Sequence, residues 1–390
     1  KFDIPPGARR ALRQVGVVGA QEGGFPSGSL TGQPAALVRA AIEGTRGPLV
    51  SRWGHILLRR ALASRLDAPS GMDAVVSPAT RANLLTRRGE AQAARMLVQD
   101  IDSANYNPAL GSAALNAYLA TGDVLGICPV MQIHSNLLDT PEWQMTRSIC
   151  RAYSGRAREA ETELDRALYY GLAPRIDVLL AQRYAGAAGE GRREVTIEWN
   201  GIDELTPWRM ALARTLGVEI PDGLRDGAAA RFDFYDVLIP AVPLTERGEA
   251  AGLAGARGVL SAGAMVDLYS QLWADPSIGQ DEKSRAGTLR QAYVARDATA
   301  RLDALRTLWD GADEDYAGQV LTAYAAARLP VAEPLLEEAP RIVSSMLTAG
   351  LDNNAVLWGR IVPQGSPAWG LLVLAQPDRR EAVARLDVDV

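Results

Sequence analysis

"TRANLLTRRGEAQAARMLVQDIDSANYNP", residues 80–108, lies over "TRSICRAYSGRAREAETELDRALYYGLAP", residues 146–174, at an offset of 66. Thr80 and Arg81 fall on Thr146 and Arg147, Gly89 on Gly155, and Pro108 on Pro174. The apolar rows coincide as well: Ala91, Ala94, Val98 and Ile101 meet Ala157, Ala160, Leu164 and Ala167, a spacing that keeps one helix face against its neighbours. Tyr118 then meets Tyr184 in the helix that follows. Each stretch therefore predicts a helix, a glycine turn, an alanine-faced second helix and a proline that opens a third.

That layout resembles a tetratricopeptide repeat, with Trp143, Gly155, Ala160 and Pro174 approximating the repeat signature, and two such units span close to 66 residues. The likeness covers residues 75–190. It implies an all-α fold, a right-handed α-α superhelix of stacked helical hairpins, here with an irregular N-terminal arm. Such a solenoid is expected to bind a partner on its concave face. In architecture the chain also resembles the superhelical ring domain of soluble lytic transglycosylases, which implies the alternative of a peptidoglycan-acting lyase or hydrolase, or its non-catalytic domain. The catalytic glutamate in an E-S context and the G-L-M-Q type segment of those enzymes have no counterpart here.

Composition agrees with helix. The 390 residues are 47% apolar, led by alanine, leucine and valine with only 4 Phe, which favours close-packed helices over sheets. Residues 1–48 are rich in turn formers and predict an extended arm with helical candidates only near Arg9–Val18 and Pro34–Glu43. Residues 49–190 predict an N-terminal helical-repeat lobe, residues 191–244 an irregular joint with one helix opened by Thr206 and Pro207, and residues 245–390 a C-terminal helical lobe. Glycines 252, 255 and 258 in that last lobe suit close helix approach rather than phosphate binding.

The stretch from Leu125 to Gly155 holds both cysteines, Cys128 and Cys150, and one of the two histidines, His134. A C-x5-H-x15-C spacing offers three ligands and fits no compact zinc knuckle, and no C-x-x-C redox motif is present. Thr140 as N-cap and Pro141 as first helical residue predict a helical hairpin turning near Asp139, with each cysteine eleven residues from that turn. Equal distances from the turn put the sulfurs at one height, so a Cys128–Cys150 disulfide is expected, with two buried thiols as the alternative. A disulfide in turn points to the bacterial periplasm or another extracytoplasmic space. The chain begins at Lys1 rather than Met, which reads as a processed or truncated product with a signal or anchor upstream.

Few kinds of chemistry have their motifs here. There is no G-x-G-x-x-G, P-loop, G-x-S-x-G or H-E-x-x-H, and no metal or cofactor is expected. His55 and His134, each flanked by apolar residues, read as structural histidines. The acidic run Asp310, Asp313, Glu314 and Asp315 lacks calcium-loop order and reads as the acidic first turn of a helix after Gly311. No apolar run reaches the length of a membrane span.

Charge is uneven. The net charge is −5, yet residues 1–100 carry 14 Lys and Arg against 7 Asp and Glu, so the remainder sums to −12. Without interleaved aromatics this basic end does not read as a nucleic-acid module. Arg52, Arg59, Arg60 and Arg65, with Arg81, Arg87 and Arg88 nearby in sequence, form a candidate patch for an acidic partner, against the alternative that they are merely solvated or paired with Asp67 or Glu90. Trp143, Trp208 and Trp199 are candidate aromatic contacts on the concave face, or else packing anchors. The expected function is a non-enzymatic extracytoplasmic scaffold for a protein or cell-wall polymer.

Overall fold

The computed structural model describes residues 9–47, 49–188, 195–226, 228, 230–310 and 315–376. The protein is all-α: 66% of it is helix and 2% strand. The chain forms two compact units, residues 1–242 and 243–390.

The first unit opens with the arm. Its residues 9–18 are not helical: Leu12 and Arg13 form a turn, and β1 (Gln14–Val15) pairs antiparallel with β2 (Leu66–Asp67). The expected helix is lost because this segment lies directly on another backbone: Val17 and Val18 donate to the Ala63 carbonyl, and a Cβ on Gly16 would stand 2.2 Å from the Ser64 oxygen. The β-branched run Val15, Val17 and Val18 tolerates that conformation well. Helix α1 (Ala35–Gly44) follows where one was expected, then α2 (Arg52–Ala63), whose N-cap Ser51 accepts from Gly54 N.

The 66-residue echo is present helix by helix. Helices α3 (Val76–Arg87), α4 (Ala91–Gln99) and α5 (Pro108–Ala120) pack on one another pairwise. After the short α6 (Cys128–Ile133), helices α7 (Pro141–Tyr153), α8 (Ala157–Tyr170) and α9 (Arg175–Gly186) do the same. Ala94, Ala160, Val98 and Leu164 are all at most 1% exposed, so the second helix of each triple buries the same face. Thr80 and Thr146 each donate to the carbonyl four residues back, Val76 and Glu142. Gly89 and Gly155, in the turns, have φ +81° and +84°, a left-handed conformation that a side chain would strain.

The offset extends once more. Thr140–Pro141 falls on Thr206–Pro207, the N-cap and first residue of α10 (Pro207–Leu216), and both threonine hydroxyls accept from the amide three residues on. The register then fades into the short helices α11 (Asp222–Asp226) and α12 (Asp233–Leu238), so residues 195–242 carry three helices where one was expected.

In the second unit, α13 (Leu244–Arg257), α14 (Ala262–Ala274), α15 (Ser284–Val294), α16 (Ala298–Trp309), α17 (Asp315–Ala326) and α18 (Ala339–Thr348) each pack on the next. The short α19 (Asp352–Ala355) and α20 (Pro367–Ala375) complete it. Of the three glycines expected to allow close approach, Gly255 does so, since an added Cβ would lie 2.2 Å from Met265 Sδ, while Gly258 caps α13 with φ +92°. A buried polar seam crosses three helices, with Trp309 Nε1 donating to Thr322 Oγ1 at 2.7 Å and that hydroxyl 3.1 Å from Ser345 Oγ. Asp310 accepts from Arg341 at 2.7 Å, and Gly311, Asp313 and Glu314 of the acidic run lie outside the described residues.

Candidate functional site: an arginine-lined cleft

A polar cleft of about 430 Å³ opens within the first unit. Helix α3 supplies one wall with Thr80, Asn83 and Arg87, spaced three and four residues apart and so on one face. The buried Tyr235 of α12 forms the floor beside the half-buried Asn116 of α5, and the exposed Glu43 and Arg46 line the outer part with the half-buried Arg231.

Packing positions several of these groups. A Cβ on Gly89 would lie 2.2 Å from Phe234 Cδ2, so the α3–α4 turn seats directly on α12. The Arg231 guanidinium lies over the Phe232 ring at 4.8 Å, and that ring meets Tyr235 edge-on at 5.2 Å. Arg87 Nη2 donates to the Ile42 carbonyl at 3.1 Å. Arg88, one residue on, donates to the carbonyls of Gly47 at 2.6 Å and Thr45 at 2.8 Å and so ties down the end of α1 beside the cleft.

The electrostatics are one-sided. Partial burial lowers the pKa of Arg87, the neighbouring Arg46 and Arg231 charges lower it further, and Glu43 opposes them. Three guanidiniums thus face one carboxylate, and a bound anion would relieve the repulsion among them. The amides of Asn83 and Asn116 make no hydrogen bond among the described residues and stand ready for a ligand. Burial also pushes the Tyr235 hydroxyl up to about 12, so it remains a neutral donor at the cleft floor.

Few of the residues singled out in the sequence lie here; of the arginines, Arg87 does. Arg52 is 6% exposed and Arg81 1%, so neither offers a surface. Arg81 is a structural tie, donating to the carbonyls of Leu62, Ser64 and Val15, and burial lowers its pKa to about 10. Arg59 donates to Glu90 Oε1 at 2.9 Å, an oxygen that also lies 2.7 Å from His55 Nε2, so three polar groups close on one another. Arg60 and Arg65 are exposed, and neither lines the cleft. Arg88 holds backbone, as described above.

Two of the tryptophans take the packing role and offer no binding surface. Trp143 and Trp208 are 0% and 2% exposed, with their indole N–H groups donating to the carbonyls of Ser135 and Asp177. They are packing anchors, buried with their one polar atom satisfied. Trp199 is half-buried and lines a separate, wider hollow with Ile197 and Val218.

Cys128 and Cys150 form a disulfide with Cα atoms 5.4 Å apart, which withdraws both thiolates from any metal site. The expected long hairpin is not how they meet. Cys128 opens the six-residue α6, and residues 134–140 form a turn rather than helix, held by Trp143 Nε1 and Arg147 Nη1 on the Ser135 carbonyl. His134 is half-buried beside that turn. Among the described residues no three His, Cys, Asp or Glu side chains gather as a metal site, and no helix is long and apolar enough to cross a membrane.

Sequence reasoning missed Arg46, Asn83, Asn116 and Arg231. Asn83 had a local signal, since it shares with Thr80 and Arg87 the one face of α3 that is not buried. Arg231 had none, because it reaches the cleft from about 150 residues away in the chain. Comparison of the chain with protein-family models, with curated proteins and with solved structures found no match.

Proposed function

We propose that the protein is a non-enzymatic, extracytoplasmic helical-repeat scaffold that captures an acidic segment of a partner protein in the arginine-lined cleft. The observation that carries this reading is the convergence of Arg46, Arg87 and Arg231 on one polar hollow with two unengaged asparagine amides. Guanidinium groups recognise carboxylates through paired, charge-assisted hydrogen bonds, and asparagine amides suit a peptide backbone. The recurrence of helix triples at 66 residues supports a tetratricopeptide-like array, the kind of framework that presents a binding groove. The disulfide supports an oxidising compartment such as the periplasm. A glycosidase would place two carboxyl groups across its cleft, and the lining here has Glu43 flanked by guanidiniums.

The test is binding of a fluorescent hexaglutamate peptide to the full chain, read by anisotropy, beside an Arg46→Ser/Arg231→Ser variant. Arg46 is exposed and Arg231 half-buried, and an unchanged melting curve of the variant is the control for its fold. Affinity is expected to fall at least tenfold in the variant, in keeping with loss of charged hydrogen bonds worth roughly 1.5–3 kcal/mol each. Equal affinities would remove the cleft from consideration, and capture of an anionic wall polymer in place of the peptide would reassign the partner.

A further inference from the structure

The two helix triples treat one equivalent groove differently. On α3 and at the end of α4 the corresponding side chains hold the chain's own arm, beside helix α2. Gly16 N donates to Asp100 Oδ2 at 3.0 Å, Arg10 N to Asp102 Oδ2 at 3.0 Å, and Arg81 Nη2 to the Val15 carbonyl at 2.8 Å. Adding 66 carries Arg81 to Arg147, Asp100 to Arg166 and Val98 to Leu164, and these three residues line an open groove of about 270 Å³ between α7 and α8.

The open groove keeps the means of holding a strand. Arg147 uses Nη1 on Asn136 Oδ1 at 2.7 Å and on the Ser135 carbonyl at 3.3 Å. Its Nη2, the counterpart of the atom that holds Val15, makes no hydrogen bond among the described residues. Tyr170, 77% exposed, extends the groove at one end and meets Tyr169 edge-on at 5.0 Å, an aromatic ledge for a side chain.

The charge, however, is inverted. Asp100, which receives the backbone of a basic arm, is replaced by an exposed Arg166 without an ion-pair partner among the described residues. Glu163, the carboxylate of the groove, is already engaged by Arg151 and by Ser148 Oγ at 2.8 Å. A second copy's arm, with Arg9, Arg10 and Arg13, would meet like charge here.

We propose that the α7–α8 groove docks an extended, carboxylate-bearing segment of a partner protein, in the manner in which Arg81 and Asp100 hold Val15 and Gly16 of this chain. This is a surface distinct from the arginine-lined cleft, and it stands whether or not that cleft binds.

The chain itself supplies the probes: a labelled peptide of residues 9–18, "RRALRQVGVV", and its charge-reversed form "EEALEQVGVV". Binding to the full chain is read by fluorescence anisotropy. The reversed peptide is expected to bind at least tenfold more tightly than the native one. Arg46→Ser/Arg231→Ser, which disables the cleft, is expected to leave that preference in place, and Arg166→Asp added to that variant, at an exposed position, is expected to invert it with the melting curve unchanged. Equal binding of the two peptides, no binding of either, a preference that disappears in the cleft variant, or one that survives the added Arg166→Asp would each overturn the proposal.

Discussion

The Asp177 carboxylate receives two parallel hydrogen bonds from the Arg209 guanidinium, from Nε at 2.7 Å and from Nη2 at 3.0 Å, with both side chains about 10% exposed or less. The pair joins α9 to α10 at the point where the 66-residue register enters its third turn, and Trp208 adds a bond to the Asp177 carbonyl at 3.1 Å. Arg209→Ala leaves a buried carboxylate without its partner, so the first unit is expected to lose roughly 3–5 kcal/mol in urea unfolding. Asp177→Leu/Arg209→Met, which removes both charges, is expected to recover most of that loss. A double variant as unstable as the single one would show that shape rather than charge governs the joint.

The same carboxylate carries a pH signature. Burial raises the Asp177 pKa above its ordinary 3.8, and the hydrogen bonds and charge of Arg209 pull it back without cancelling the shift. A raised folded-state pKa means that the fold favours the protonated form. Its contribution to stability is therefore full below pH 3.8 and is lost as pH rises through the folded value. Relative to Asp177→Asn, the native chain is expected to lose stability as pH rises across that window. Parallel stability curves for the two proteins would contradict it.

Closing a loop of about 21 residues, the Cys128–Cys150 bond is expected to stabilise the first unit by roughly 3 kcal/mol on the chain-entropy estimate. Denatured, unreduced protein made under oxidising conditions should yield no titratable thiol, and dithiothreitol should lower the urea midpoint. Two reactive thiols without reductant would remove the disulfide and, with it, the support for an oxidising compartment.

For the cleft, the repulsion that Arg46 and Arg231 exert on Arg87 predicts a specific anion effect. Sulfate should raise the melting temperature more than chloride at equal ionic strength, because a bound dianion stabilises by mass action as well as by screening. In the Arg46→Ser/Arg231→Ser variant that excess should disappear. An excess of the same size in both proteins would place the anion elsewhere.

What was legible in the sequence was local or periodic. Thr140 and Thr206 announced their helices because a cap is made within four residues, and the alanine rows of α4 and α8 announced their burial because a helix face repeats. The arm's strand was not legible, since Gln14 and Val15 take their conformation from Leu66 and Asp67, some 50 residues away. Arginine proved ambiguous for a related reason. Arg81 and Arg60 look alike in sequence, yet one is buried on three carbonyls and the other faces solvent, and only the distant backbone distinguishes them. The cleft assembles α1, α3, α5, α10 and α12, a juxtaposition that no single stretch records.

Gly89 and Gly155 occupy the same place in successive triples and differ in what surrounds them, which makes them a matched pair. Both have left-handed φ, +81° and +84°, so alanine at either position carries a conformational cost of about 1–2 kcal/mol, reduced somewhat by the stiffer unfolded chain. Gly155 has nothing within 4 Å of an added Cβ, and Gly155→Ala is expected to cost about 1 kcal/mol in all. At Gly89 the Cβ would lie 2.2 Å from Phe234 Cδ2 and 2.8 Å from Cγ, so Gly89→Ala adds an overpacking cost of roughly 1–3 kcal/mol. Phe234→Ala is destabilising alone, but combined with Gly89→Ala the two should be less than additive by about that overpacking cost, since the clash disappears with the ring. Unfolding curves for the four proteins measure each quantity. If the two alanine variants prove equally stable, α12 does not seat on the α3–α4 turn as described, and the floor of the arginine cleft would have to be redrawn.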